Sequence, residues 1–148
     1  MGRTEVESGV TLGQLLNSYR TLTYSWRHAL GELVDNSVDS YLEYQKQLPD
    51  GIDIEISYDG PGRKLTVKDN AFGMDEDKFH QALRPRRQGE GFTGGMGRYG
   101  GGLKKSATCL GDNWRIISTG LGDMKKFKAV VDVVEMHEKD LDKITVTD

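Results

Sequence analysis

Apolar residues recur at helical spacing through residues 12–48, with a break near residues 21–23, and Pro49-Asp50-Gly51 ends the run. The pattern predicts one short helix followed by one long helix. The period then changes to two. Ile52, Ile54, Ile56 and Tyr58 alternate with Asp53, Glu55 and Ser57, and after Asp59-Gly60-Pro61-Gly62 a second alternation puts Leu65, Val67 and Asp69 on one face. This predicts a β-hairpin. Met74-Asp75-Glu76-Asp77-Lys78-Phe79 has the form of a helix start, with Asp75 as N-cap, acids in the first turn and Met74 placed to staple onto Phe79. That helix is expected to end near Arg84-Pro85. Residues 103–110 read as a helix closed by Gly111, residues 113–119 and 124–135 as paired strands, and residues 144–147 as a last short strand. The order predicts an α+β fold with helices on one face of a mixed, mostly antiparallel sheet.

Composition narrows this picture. With 148 residues the length suits a single domain spanning 1–148, in which residues 1–10 are expected to form a flexible N-terminal arm. Hydrophobic residues make up 36% and charged residues 29%, with apolar clusters along most of the chain, which argues for a soluble globular protein despite a mean hydropathy of -0.58. The net charge of -3 provides no global basic field to hold a polyanion, so any phosphate site must be local and a nucleic-acid partner stays open. One cysteine excludes an intrachain disulfide, and three scattered histidines leave no zinc cluster at ligand spacing. A reducing cytoplasmic location is expected. No apolar run reaches membrane-spanning length, and the opening residues lack the apolar core of a signal peptide.

Three stretches carry candidate chemistry. In Glu32-Leu33-Val34-Asp35-Asn36-Ser37-Val38-Asp39 on the long helix, Glu32, Asp35, Asn36 and Asp39 fall within an arc of roughly 100°, three carboxylates and an amide on one stripe. For an arbitrary amphipathic helix a solvated polar face is the commoner explanation; a stripe of one charge sign suits a divalent cation and a base for water. In Asp69-Asn70-Ala71-Phe72-Gly73-Met74 a strand ends and a turn begins. Asp69 shares the face of Leu65 and Val67, so it is either an inward acid able to accept from the amine of a base such as adenine, or part of an Asp-Asn turn bonded to local backbone. The third stretch is glycine-rich. Eight of the 19 glycines lie between Gly89 and Gly102, and Gly97-Arg98-Tyr99-Gly100-Gly101-Gly102-Leu103-Lys104 leads directly into a helix. Backbone N–H groups freed by glycine and a helix N-terminus together make an anion cradle. No Gly-Lys-Ser/Thr triplet occurs, and Gly95-x-Gly97-x-x-Gly100 follows no strand, so neither familiar phosphate loop applies. Arg84, Arg86, Arg87 and Arg98 add positive charge around the tract.

These three stretches, in this order, resemble the motifs of the GHKL ATPases, the family of gyrase, HSP90, histidine kinases, MutL and MORC proteins: the N box at Glu32–Asp39, the first glycine box at Asp69–Met74 and the second at Gly97–Lys104. The strings look closest to MORC-like or HSP90-like members. The resemblance implies a Bergerat-type two-layer α/β sandwich with ATP held between helices and sheet under a lid over about residues 86–97. By position it implies Asn36 as Mg²⁺ ligand, Glu32 as the base for the attacking water, and Asp35 and Asp39 in support. Asp69 would bind the adenine amino group, Gly73 would admit the base and Met74 would pack on its ring. Gly97, Arg98, Tyr99, Gly100, Gly101, Gly102 and Leu103 would hold the phosphates, with Lys104 near the triphosphate. Two positions depart from the family pattern. Ala71 replaces a usual glycine, and Thr145, the nearest candidate for the adenine-site threonine, follows Ile144 where the family has glycine.

The resemblance implies ATP and Mg²⁺ as cofactors and slow hydrolysis to ADP and phosphate, since Glu32 stands where sensor histidine kinases generally lack an acid. The alternatives are an ATP-gated dimerisation or partner-binding switch, with a homodimer as partner, and a histidine- or serine-kinase-type domain. A downstream transducer or effector domain is expected to lie outside this chain.

Overall fold

The computed structural model describes residues 9–84 and 101–148. Two helices open the chain as the periodicity requires, α1 (Leu12–Arg20) and α2 (Trp26–Glu43). Thr11 caps α1 in a reciprocal box with Gln14, and Ser25 caps α2. A single 3₁₀ turn (Gln45–Gln47) leads to β1 (Ile54–Asp59) and β2 (Lys64–Asp69), then α3 (Glu76–Leu83), α4 (Gly101–Leu110), β3 (Asn113–Ser118), β4 (Phe127–Asp132), α5 (Val133–Glu138) and β5 (Val146–Thr147). Asp75 caps α3 as expected, its Oδ1 accepting from the Lys78 amide at 2.9 Å.

The architecture is α+β, with every described strand pair antiparallel. Among the described residues there are two sheets instead of one: the hairpin β1–β2 and a three-stranded sheet in the order β3-β4-β5. The hairpin pairs Ile54 with Asp69, Ile56 with Val67 and Tyr58 with Leu65, which confirms the shared face read from the alternation. The connection between the sheets is made by a loop and not by a ladder. The Leu121 amide donates to the Phe72 carbonyl at 2.7 Å, and the Met74 amide donates to Ser118 Oγ at 3.0 Å.

The core lies on the inner face of the second sheet. Trp114 opposes Val131 and Ile116 opposes Ala129 across β3 and β4, while Arg115, Ile117, Lys128 and Val130 point away. Leu12 and Leu16 of α1 pack with Val131, Val133 and Met136, and Phe79 and Leu83 of α3 pack with Phe127 and Ala129; Trp114 and Ile144 touch both groups. Met74 packs against the second group, which contains Phe79.

One expectation is corrected. Residues 133–135 do not continue a strand; they begin α5, because Asp132 accepts the Glu135 amide at 3.0 Å as an N-cap and Met136 anchors the helix in the core. Among the described residues no helix is long and apolar enough to cross a membrane.

Candidate functional site

The polar stripe of α2 is not an open solvated face. Glu32, Asn36 and Asp39 are half-buried, Ser37 is buried, and only Asp35 is exposed. The difference arises because α2 packs along α4, which brings the acidic stripe against the end of the glycine tract. Glu32 makes the junction. Its Oε2 accepts from Ser106 Oγ at 2.8 Å, its Oε1 accepts from the Tyr24 hydroxyl, and a β-carbon on Gly102 would sit 3.2 Å from Oε2. A carboxylate thus lies beside the first turn of a helix whose leading N–H groups have no partner within it.

Asp69, at the end of β2, meets α2 at Ser37, beside the stripe and not on it. Its Oδ2 accepts from Ser37 Oγ at 2.5 Å, while Oδ1 accepts from the Ala71 amide at 3.0 Å. The local-turn reading holds for one oxygen, and the other accepts from α2. From Glu32 to Ser37 the axial rise is roughly 8 Å, so α2 separates an acid at α4 from an acid at the hairpin. Asp69 itself stays exposed.

The loop after Asp69 is pinned on three sides. Asn70 exchanges bonds with Asp53, its Oδ1 accepting the Asp53 amide at 2.7 Å. Phe72 stacks on Tyr44 at 3.8 Å between ring centroids, and the Lys78 ammonium lies 4.3 Å from the Tyr44 centroid. Gly73 adopts φ +76° and approaches the Thr119 carbonyl so closely that a β-carbon would lie 1.9 Å from its oxygen. Ala71, in contrast, is not among the residues with positive φ, so the departure from glycine there costs no backbone strain.

Lys104 has a different environment from the one the glycine motif suggests. It is 1% exposed, and its Nζ donates to the carbonyls of Ala82 at 2.9 Å and Arg84 at 2.8 Å, satisfying the end of α3. Burial pulls its ammonium down from 10.5 to about 8. Between these two pH values the unfolded chain carries a proton the folded chain has released, so stability rises with pH across that window. Urea unfolding from pH 8 to 10.5 is expected to show an increment on the order of 2 kcal/mol in wild type that Lys104→Met lacks. Identical profiles would contradict the buried-ammonium account.

Other positions fall outside this constellation. Met74 packs in the core, and Thr145 is exposed just before β5 at the edge of the second sheet, whereas Asp69 ends the first. Gly97, Arg98, Tyr99, Gly100 and the stretch 86–97 lie outside the described residues, as do residues 1–8 of the expected N-terminal arm. Gly101, Gly102 and Leu103 form the first turn of α4. Sequence reasoning gave no role to Tyr24, Ser37, Ser106 or Ser118. The usable signal was a hydroxyl on a buried helix face, as at Ser37 and Ser106, since such a group requires a partner.

Among the described residues no group of three or more His, Cys, Asp or Glu side chains could hold a metal ion unaided. A Mg²⁺ bound through one protein oxygen and the phosphates of a ligand needs no such group, and Asn36 is half-buried on α2.

No curated protein was found to match this chain. The family described as histidine kinase-, DNA gyrase B- and HSP90-like ATPase matches residues 24–148, which include α2, the Asp69–Met74 loop and α4. The chain belongs to this family of ATP-binding domains.

Proposed function

We propose that the chain binds ATP with Mg²⁺ along the polar face of α2 and hydrolyses it slowly to ADP and phosphate. The observation that carries the reading is the position of Glu32, a half-buried carboxylate held beside the first turn of α4. Phosphate oxygens suit that turn, because the N–H groups of Gly101, Gly102 and Leu103 open a helix of 10 residues. Asp69 would accept the exocyclic amine of adenine with lone pairs left over from Ser37 and Ala71. Asn36 would hold the ion, which when bound neutralises phosphate charge, and Asp35 and Asp39 would support that end of the stripe.

In this arrangement a water oxygen attacks the γ-phosphorus in line. The new P–O bond forms as the bond to the bridging oxygen breaks, ADP departs, and Glu32 takes the proton of the water. Lys104 is given no phosphate contact here, since its ammonium is turned to the carbonyls of α3. Phosphate release by wild type beside Glu32→Gln, with and without Mg²⁺, tests the reading. Release by wild type that depends on both is expected, and its absence in wild type would overturn hydrolysis.

A further inference from the structure

The Glu32 carboxylate is gripped from two elements distant in sequence. Tyr24, in the connection between α1 and α2, donates to one oxygen, and Ser106, wholly buried in the second turn of α4, donates to the other. Lys105, the neighbour of Ser106, places its ammonium 4.5 Å from the centroid of the Tyr24 ring. A single helical turn therefore holds both the acid and the phenol that holds it. The phenol responds in kind, its titration pushed up to about 12 chiefly by the hydrogen bond to Glu32.

The chemistry of the clasp is specific. A glutamate side chain has several free rotations, and a hydroxyl on each oxygen fixes the last of them. Two of the roughly four lone-pair positions of the carboxylate stay open to accept from a water. We propose that Tyr24 and Ser106 are positioning residues that orient Glu32 and tie it to α4, so that an anion seated on the first turn of α4 and the base are held in one frame. This rests on the hydrolytic reading above. A base displaced by a fraction of an ångström loses rate without losing substrate, so the effect belongs in kcat and not in KM.

Two measurements on the whole chain test it. In steady-state turnover, Tyr24→Phe and Ser106→Ala are each expected to lower kcat by about tenfold with KM for ATP within about twofold, and Tyr24→Phe is expected to change nothing further in a Glu32→Gln background. In urea unfolding without nucleotide, the midpoint shift caused by Tyr24→Phe is expected to shrink by at least about half when Glu32 is already alanine. Additive midpoint shifts overturn the clasp whatever the turnover. Coupled shifts together with wild-type kcat in Tyr24→Phe overturn the positioning role. Coupled shifts among the variants, beside a wild type that binds ATP without turning it over, support the clasp and overturn the hydrolytic reading instead.

Discussion

Glu32→Gln is expected to keep ATP bound while losing phosphate release by at least about 100-fold, the usual contribution of a positioned general base. The substitution is nearly isosteric. Its amide oxygen still accepts from one of the two hydroxyls that hold the carboxylate, so the packing of α2 on α4 is retained. Removing a negative charge beside the first turn of α4 lowers repulsion toward a triphosphate, so ATP affinity is expected to stay the same or to rise. The readouts are phosphate release at saturating ATP and a separate binding titration. A variant that hydrolyses like wild type would remove Glu32 from the chemistry, and one that no longer binds ATP would make it a structural residue.

Gly73→Ala is expected to destabilise the fold by about 3 kcal/mol, which combines a strained positive φ with forced movement of packed backbone. The two contributions can be separated. Gly73 has φ +76° and would put a β-carbon 1.9 Å from the Thr119 carbonyl oxygen, whereas Gly122 has φ +86° with nothing within 4 Å. Gly122→Ala therefore carries the backbone strain alone and is expected to cost about 1 kcal/mol. Chemical denaturation of the two variants beside wild type reads the difference. Equal costs would mean that Thr119 moves aside freely, and the loop from Asp69 to Met74 would then not be fixed by the end of β3. The same loop carries Asp69, so the larger cost is expected to weaken ATP binding as well.

Much of the fold was legible because it is local. Helical spacing over residues 12–48, strict alternation in the hairpin and the Asp75 cap each specify an element through neighbours a few residues away. The segment after Val131 shows where this stops. Val130, Val131, Val133 and Val134 form a β-branched run that favours a strand, yet Asp132 and Glu135 stand at capping distance and the chain turns into α5 between the valines. The separation into two sheets was also hidden, because it depends on Phe72 and Met74 meeting residues of the 118–121 region through single hydrogen bonds.

At the site, residue types and stripes were legible while partners were not. The acidic face of α2 follows from periodicity alone. That Ser37 reaches Asp69, 32 residues away, and Ser106 reaches Glu32, 74 residues away, follows only from the packing of α2 against the hairpin and α4. Lys104 carries the same lesson in reverse. Its place after the glycines suggests a phosphate ligand, and the fold instead spends its ammonium on two carbonyls at the end of α3.

The proposed nucleotide site runs from Asp69 to the first turn of α4. Calorimetric titration of ATP with Mg²⁺ into wild type and into Asp69→Asn tests it most directly. In the variant one carboxylate oxygen becomes an amide N–H₂ donor, which leaves a single oxygen to accept from Ser37, the Ala71 amide and the adenine amino group. Saturable one-to-one binding by wild type is expected, with binding at least about tenfold weaker in Asp69→Asn. Equal affinity in both chains, or no saturable binding by wild type, would contradict it.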